Sequence, residues 1–262
     1  MANQYTISPN PLTYDVLERA ADGELQLSLS EESVALIQKC RDYLDNKMKT
    51  QTEPIYGITT GFGSLCNRSI SFEALSQLQE NLVMSHACST GAEVEPAIIR
   101  LMLFLKAHAL SLGKSGVQVV TVQRIIDFYN NDVLPIVYDR GSLGASGDLA
   151  PLSNLFLPLI GMGEVRHKGV KRNADEVLKE FGWEPIKLQS KEGLALLNGT
   201  QFMSSHGVLA LIRAFRLVKL ADVVGALSLE AFDGRIEPFN ELLHTIRPHQ
   251  GSWRLRETSA PF

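Results

Sequence analysis

What is scarce in this chain narrows the field first. Its 262 residues include only three cysteines, Cys40, Cys66 and Cys88. An odd number at wide spacing fits neither a disulfide framework nor a tetrahedral zinc site, and buried free thiols are the plainer reading. The formal net charge is −4, with no stripe of lysine and arginine, so a groove holding nucleic-acid phosphates is not expected. The six histidines are scattered, and the spacing between His244 and His249 does not put both on one helix face. No metal is expected. Met1 to Asn10 is polar and lacks a basic region followed by an apolar run, which predicts no secretory signal and a cytoplasmic protein. There is no internal repeat and no low-complexity linker. With 21% charged and 45% hydrophobic residues, the composition is that of a globular protein with room for one large domain or two smaller ones.

What is present is mostly helical pattern. Ser28-Leu29-Ser30-Glu31 supplies cap residues before an apolar stripe of Val34, Ile37, Leu44 and Met48, predicting a helix to about Lys49. Tyr56-Gly57-Ile58-Thr59-Thr60-Gly61-Phe62-Gly63 holds too many glycines for a helix and predicts a loop. Ser71 is placed to cap a helix with Leu75, Leu78, Leu82 and His86 on one face. Pro96 to Leu112 and Ser115 to Asn131 predict two core helices, and Glu164 to Val170 a hairpin. Asn173 with Glu176 is a capping signal for a further short helix. The longest helical pattern runs from Thr200 to about Phe232. Its charged stripe of Arg213, Arg216, Lys219 and Asp222 rules out a membrane span, and its other faces are apolar and call for partners.

The most informative window is Gly141-Ser142-Leu143-Gly144-Ala145-Ser146-Gly147-Asp148-Leu149-Ala150. At its plainest it is a glycine-rich turn before a helix, with Asp148 as cap and Pro151 in the first turn. It also permits unusual chemistry. The amide nitrogen of Gly147, with no Cβ to block its approach, can attack the carbonyl carbon of Ala145 and close a five-membered ring. Loss of one water from the ring and a second from Ser146 leaves a methylidene-imidazolone, an electrophile that no ordinary side chain provides.

This window resembles the prosthetic-group segment of the aromatic amino acid ammonia-lyases, and Gly144 to Leu152 is especially similar to the histidine-acting branch. The resemblance extends from about Leu29 to Gly251 through the Tyr56 to Gly63 loop, Ser85-His86, Ala145-Ser146-Gly147 and Gly193-Leu194-Ala195-Leu196-Leu197-Asn198-Gly199-Thr200. It implies a 4-methylidene-imidazol-5-one group formed autocatalytically from Ala145, Ser146 and Gly147, with no metal and no nucleotide. It also implies a mainly α fold: an N-terminal prosthetic-group domain over 1–199, the start of a central helical bundle over 200–251, and a divergent tail over 252–262. After Gly251 the pattern departs from the family, whose members are much longer. The end is a frameshifted or mispredicted one, or that of a short paralogue. The family's later half carries a tyrosine, an arginine for the substrate carboxylate and a glutamate near the amine, and its active sites are shared among subunits of a homotetramer.

Each candidate residue has a plainer role beside the one the resemblance implies. Tyr56 as a loop residue packs its ring and bonds its hydroxyl; by resemblance it is the catalytic base for the substrate β-proton. A phenol with pKa about 10 needs nearby positive charge or hydrogen bonds for that task. His86 on an apolar face is a core histidine; by resemblance Ser85 and His86 bind the substrate ring, where an imidazole pairs with either another imidazole or a phenol. Asn198, at a strand or loop end, is placed to cap the long helix; by resemblance its amide holds the ring carbonyl and assists ring formation. Gly57, Gly61 and Gly63 lack the lysine and strand of a phosphate cradle. The resemblance thus implies elimination of ammonia from L-histidine to give urocanate. Tyrosine ammonia-lyase or aminomutase activity is the alternative, and a non-catalytic assembly fragment is a third reading.

Overall fold

The computed structural model describes residues 3–50, 53–61, 70–71, 74–144, 146–247 and 249–251, which are mainly helical. Phe62, Gly63, Cys66, Ala145 and the 252–262 tail lie outside the described residues. Strand β1 (Asn3–Ile7) leads through helix α1 (Tyr14–Asp22) to β2 (Leu25–Leu29), and the strands pair in parallel from Asn3–Leu25 to Ile7–Leu29. Asn130 extends the pair as a pseudo-strand. Its side chain accepts from Leu27 N–H at 2.7 Å and donates to the Leu27 carbonyl at 2.9 Å.

Helix α2 (Glu31–Thr50) begins where the serine signal predicts, with Ser30 Oγ accepting from Ser33 N–H at 3.1 Å. Its inner stripe is Ser33, Ile37, Arg41 and Leu44, while Val34 faces outward. Arg41 occupies an inner position because the two end nitrogens of its guanidinium find partners there, Nη1 donating to the carbonyls of Gly116 and Ser190 at 2.8 and 2.9 Å and Nη2 pairing with Asp45. Helix α3 (Leu75–His86) buries Leu75, Gln79 and Val83, one step around from the expected face, so Leu78, Leu82 and His86 are half-buried. Ala74 takes the cap position, and the Ser71 carbonyl accepts from Ala74 N–H at 3.0 Å.

Strand β3 (Thr90–Glu93) precedes α4 (Pro96–Ser111), the central core helix, buried at Ile98, Leu101, Met102, Phe104, Lys106 and Leu110 among others. Helix α5 (Val119–Asn130) starts later than the pattern from Ser115 suggests. Its start is set by a residue distant in sequence: the fully buried Glu192 carboxylate accepts from Gln118 N–H at 2.8 Å, Gln118 Nε2 at 2.6 Å, Thr121 Oγ1 at 2.6 Å and Gln189 N–H at 2.7 Å. A carboxylate at a helix N-terminus both caps it and matches its dipole.

Strands β4 (Leu134–Pro135) and β5 (Tyr138–Arg140) follow, then α6 (Leu149–Phe156) and a 3-10 turn, Leu157–Ile160. The expected hairpin is present as β6 (Glu164–His167) and β7 (Val170–Asn173), and forms an antiparallel sheet in the order β4-β6-β7, while β3 pairs with β5. Helix α7 (Ala174–Glu180) begins at Asn173, whose side chain donates to Glu176 at 3.3 Å instead of capping a backbone N–H. Helices α8 (Glu192–Leu197), α9 (Gln201–Ala231) and α10 (Glu241–Ile246) complete the order. Among the described residues no helix is long and apolar enough to cross a membrane.

The described chain divides into two compact units, one ending at Leu209 and the other beginning at Ala210, with the division inside α9. In the first unit, α4 packs against α1, α2 and α5, and α3, α6 and α8 pack against one another. In the second, Leu211, Phe215, Leu217, Val218, Leu220 and Leu227 are exposed along α9.

Because four donors converge on Glu192, its isosteric replacement by an amide places N–H against N–H in a buried site. Glu192→Gln is expected to lower stability by on the order of 2–4 kcal/mol, read as a lower urea midpoint at unchanged m-value.

Candidate functional site

The Ser146–Gly147 turn is held by the residue that follows it. Asp148 is 5% exposed, and its backbone N–H donates to the Gly199 carbonyl at 2.8 Å. Its carboxylate accepts from Ser142 Oγ at 2.8 Å and from Met203 N–H at 2.9 Å. Asp148 stands at the cap position of α6 but makes no side-chain bond there. It instead caps α9, whose third residue is Met203, and so ties the turn to the start of a helix far along the sequence.

Gly147 shows how close this approach is. Its φ is +110°, and a Cβ built on it would lie 2.4 Å from the Gly199 oxygen and 2.6 Å from the Gly199 nitrogen. Gly199, at φ +153°, is likewise in a conformation that favours glycine. Two glycines thus let two backbone segments touch. Ser146 is exposed, next to buried Asp148. A ring closed from Ala145, Ser146 and Gly147 needs a residue without a side chain at its third position, and the Gly147–Gly199 contact has room for nothing else. The residues therefore fit the group.

Asn198 is brought to this junction by α8. It is not at a strand end and does not cap α9; it is the C-cap of α8, with N–H bonded to the Leu194 carbonyl at 3.0 Å. Lys106 of α4 reaches up from the core, donating from Nζ to the Ala195 and Asn198 carbonyls at 3.1 and 3.2 Å, with the Phe156 ring 5.8 Å away. Burial pushes its ammonium down to about 7, against the opposing pull of Asp148. A lone lysine in the apolar run from Pro96 to Leu112 was the available sequence signal for this residue, and the pattern alone treats that helix as plain core.

Ser85 and His86 end α3, the helix that packs against both α6 and α8. The close fit is set by Gly193, whose N–H donates to Gln79 Oε1 at 3.0 Å, and by Ser153, whose hydroxyl donates to the Val83 carbonyl. His86 Nδ1 lies 2.9 Å from the Leu82 carbonyl. A carbonyl only accepts, so this nitrogen carries a proton, and in the tautomer protonated there alone Nε2 is the acceptor. Ser85 Oγ is 3.1 Å from the same Nδ1.

Tyr56 lies in the turn from Ile55 to Thr60, with its ring 60% exposed. Ile55 N–H donates to Thr59 Oγ1 at 2.8 Å, Gly57 N–H to Thr60 Oγ1 at 3.2 Å, and Ile70 N–H to the Thr59 carbonyl at 2.9 Å. These bonds tie the turn to itself and to Ile70, not to the Gly147–Gly199 junction. The described residues thus bring Gly147 against Gly199, the neighbour of Asn198, and pack the helix that ends in His86 against α6 and α8. Among the described residues no group of three or more His, Cys, Asp or Glu is placed to hold a metal ion.

A family model described as aromatic amino acid lyase matches residues 12–258. The histidine ammonia-lyase of Clostridium tetani (strain Massachusetts / E88) is 41% identical over 245 residues, covering 94% of this chain and 48% of that protein. The crystal structure of histidine ammonia-lyase from Trypanosoma cruzi superposes with a TM-score of 0.88 at 36% identity, covering 98% of this chain and 49% of that one. Tyrosine aminomutase from Streptomyces globisporus gives 0.89 at 34% identity, covering 98% and 48%. The chain spans about half the length of the relatives it matches. With the match running through the glycine junction, Asn198 and the Ser85-His86 pair alike, the chain belongs to the aromatic amino acid lyase family.

Proposed function

We propose that this chain supplies the ring-forming half of an ammonia-lyase acting on L-histidine, giving urocanate and ammonia. The observation that supports this is the Gly147–Gly199 contact, which brings the backbone next to Asn198 against the residue that follows Ser146. Ring closure would join Gly147 N to the Ala145 carbonyl carbon. The departing carbonyl oxygen takes the Gly147 and Ser146 amide protons as the first water, and Ser146 loses its hydroxyl with its α-proton as the second. The resulting 4-methylidene-imidazol-5-one supplies an electrophile for the substrate amine. Asn198 holds the ring carbonyl, and Tyr56 takes the β-proton from the substrate.

His86 narrows the substrate. With Nε2 as acceptor it favours a ring that donates, so imidazole N–H and phenol O–H both suit it and a phenyl ring does not. Tyrosine is therefore the second reading, supported by the likeness to a tyrosine aminomutase at 34% identity. Histidine is preferred because the histidine-acting relative is 41% identical over nearly the whole chain. Groups for the substrate carboxylate and amine are assigned outside these 262 residues. The exposed apolar residues of α9 support assembly with further helices and, in the full-length form, a homotetramer. Cys40 is half-buried and Cys88 exposed, so the expected burial of the thiols does not hold for these two; a cytoplasmic setting remains the reading taken from the sequence.

Intact mass of the folded chain is expected to fall short of the encoded mass by two waters, and Ser146→Ala to abolish the loss. An unmodified mass in a folded sample would sink the ring-forming reading. In the chain extended to the length of its relatives, histidine is expected to turn over faster than tyrosine at equal concentration; the reverse would promote the tyrosine reading. In that same protein Tyr56→Phe is expected to lower kcat by about 10²–10⁴-fold with little change in KM. A change confined to KM would make Tyr56 a binding residue only.

A further inference from the structure

Lys106 is an expensive residue for its position. It is 2% exposed in the central core helix, its partners at Nζ are two backbone carbonyls, and a methionine of similar length would fill the same space without a charge to desolvate. Those carbonyls, of Ala195 and Asn198, belong to the last turn and C-cap of α8, where helix carbonyls lack intrahelical partners and the dipole is negative. The next carbonyl, that of Gly199, is taken by Asp148 N–H at 2.8 Å. Two consecutive peptide groups are therefore pinned from different directions, one from α4 and one from the ring-forming turn. Between them lies the bond pair that decides where Asn198 sits relative to Ser146 and Gly147.

We propose that Lys106 is a positioning residue for ring closure: by holding the Asn198 carbonyl it fixes the Asn198–Gly199 corner against Gly147, and so sets the Asn198 amide toward the turn that cyclises. The proposal rests on the reading that Ala145, Ser146 and Gly147 form the ring. It differs from a purely stabilising role, because loss of the ammonium should loosen this corner and slow dehydration even where the fold is no weaker.

The test uses the whole 262-residue chain as wild type, Lys106→Met, Lys106→Arg and Lys106→Gln, with Val177→Ala in α7 as a destabilised control away from the site. Three quantities are followed: the rate of two-water loss by intact mass after folding, hydrogen exchange in peptides spanning 146–149 and 198–203, and the thermal midpoint. Lys106→Met is expected to slow dehydration by about tenfold or more and to speed exchange in both peptides. Lys106→Arg, which keeps donors for both carbonyls, should recover most of the rate. Val177→Ala should lower the midpoint and dehydrate at the wild-type rate. Should the methionine chain not fold, Lys106→Gln, with one amide in place of the ammonium, carries the comparison and is expected to lie between wild type and loss. Dehydration of Lys106→Met within about twofold of wild type, or equal slowing in Val177→Ala, overturns the proposal. If the wild-type chain does not dehydrate, the ring-forming reading fails and the role in ring closure falls with it; exchange in Lys106→Met then tells the two failures apart, because joint loss of protection in both peptides still shows Lys106 holding the Asn198–Gly199 corner and unchanged protection shows that it does not.

Discussion

The structure of the site depends on one carboxylate and the amide beside it. Asp148 closes the Ser146–Gly147 turn on one side and the N-terminus of α9 on the other, through its N–H to Gly199, its Oδ1 to Ser142 and its Oδ2 to Met203. An aspartate exposed in a turn would contribute little. Buried here, it satisfies an orphan donor of α9 while fixing the backbone that carries Ser146, and neither segment holds that geometry by local bonding alone. Gly147 and Gly199 make the contact sterically possible; Asp148 makes it definite.

A second buried carboxylate does similar work at lower sequence visibility. Glu192 begins α8 and sets the start of α5, so the helix that ends in Asn198 is anchored at its other end to the core. Lys191, just before it, has φ +72° and donates from Nζ to the Ser115 carbonyl at 2.6 Å. Helix α8 is short, and a helix of this length is not stable by propensity. It persists because its first residue, its closely packed Gly193 and its last carbonyls are each held by another element.

The contrast between what the sequence showed and what it hid follows from this. Long helices with strong apolar content, α4 and α9, and the hairpin with its tight turn were legible because their signals are local. The α2 start is legible from Ser30 and its inner face in part, through Ile37 and Leu44, while Arg41 reads as surface until its carbonyl partners from distant loops are known. Strands β1 and β2 were not anticipated: each is five residues long, and their partner edge includes the side chain of Asn130. Within the site, the glycines, Asn198 and Ser85-His86 stood out through family likeness. Lys106 did not, because a lysine within an apolar helix gives no hint of which distant carbonyls await it. Asp148 was seen as a cap, but for the wrong helix, because its true target lies beyond the reach of any local capping pattern.

The contact between Gly147 and Gly199 also imposes an order in time. During synthesis the Ser146–Gly147 turn emerges well before Gly199 and Met203, and translation adds about 5–20 residues per second. Until those later residues arrive and dock, Asp148 has neither of its partners there, and the turn is an ordinary flexible peptide. The close approach of the two backbone segments can form only after this half of the chain has folded, so on the proposed function the turn stays chemically latent while the nascent protein is still exposed to solvent and to other nascent chains.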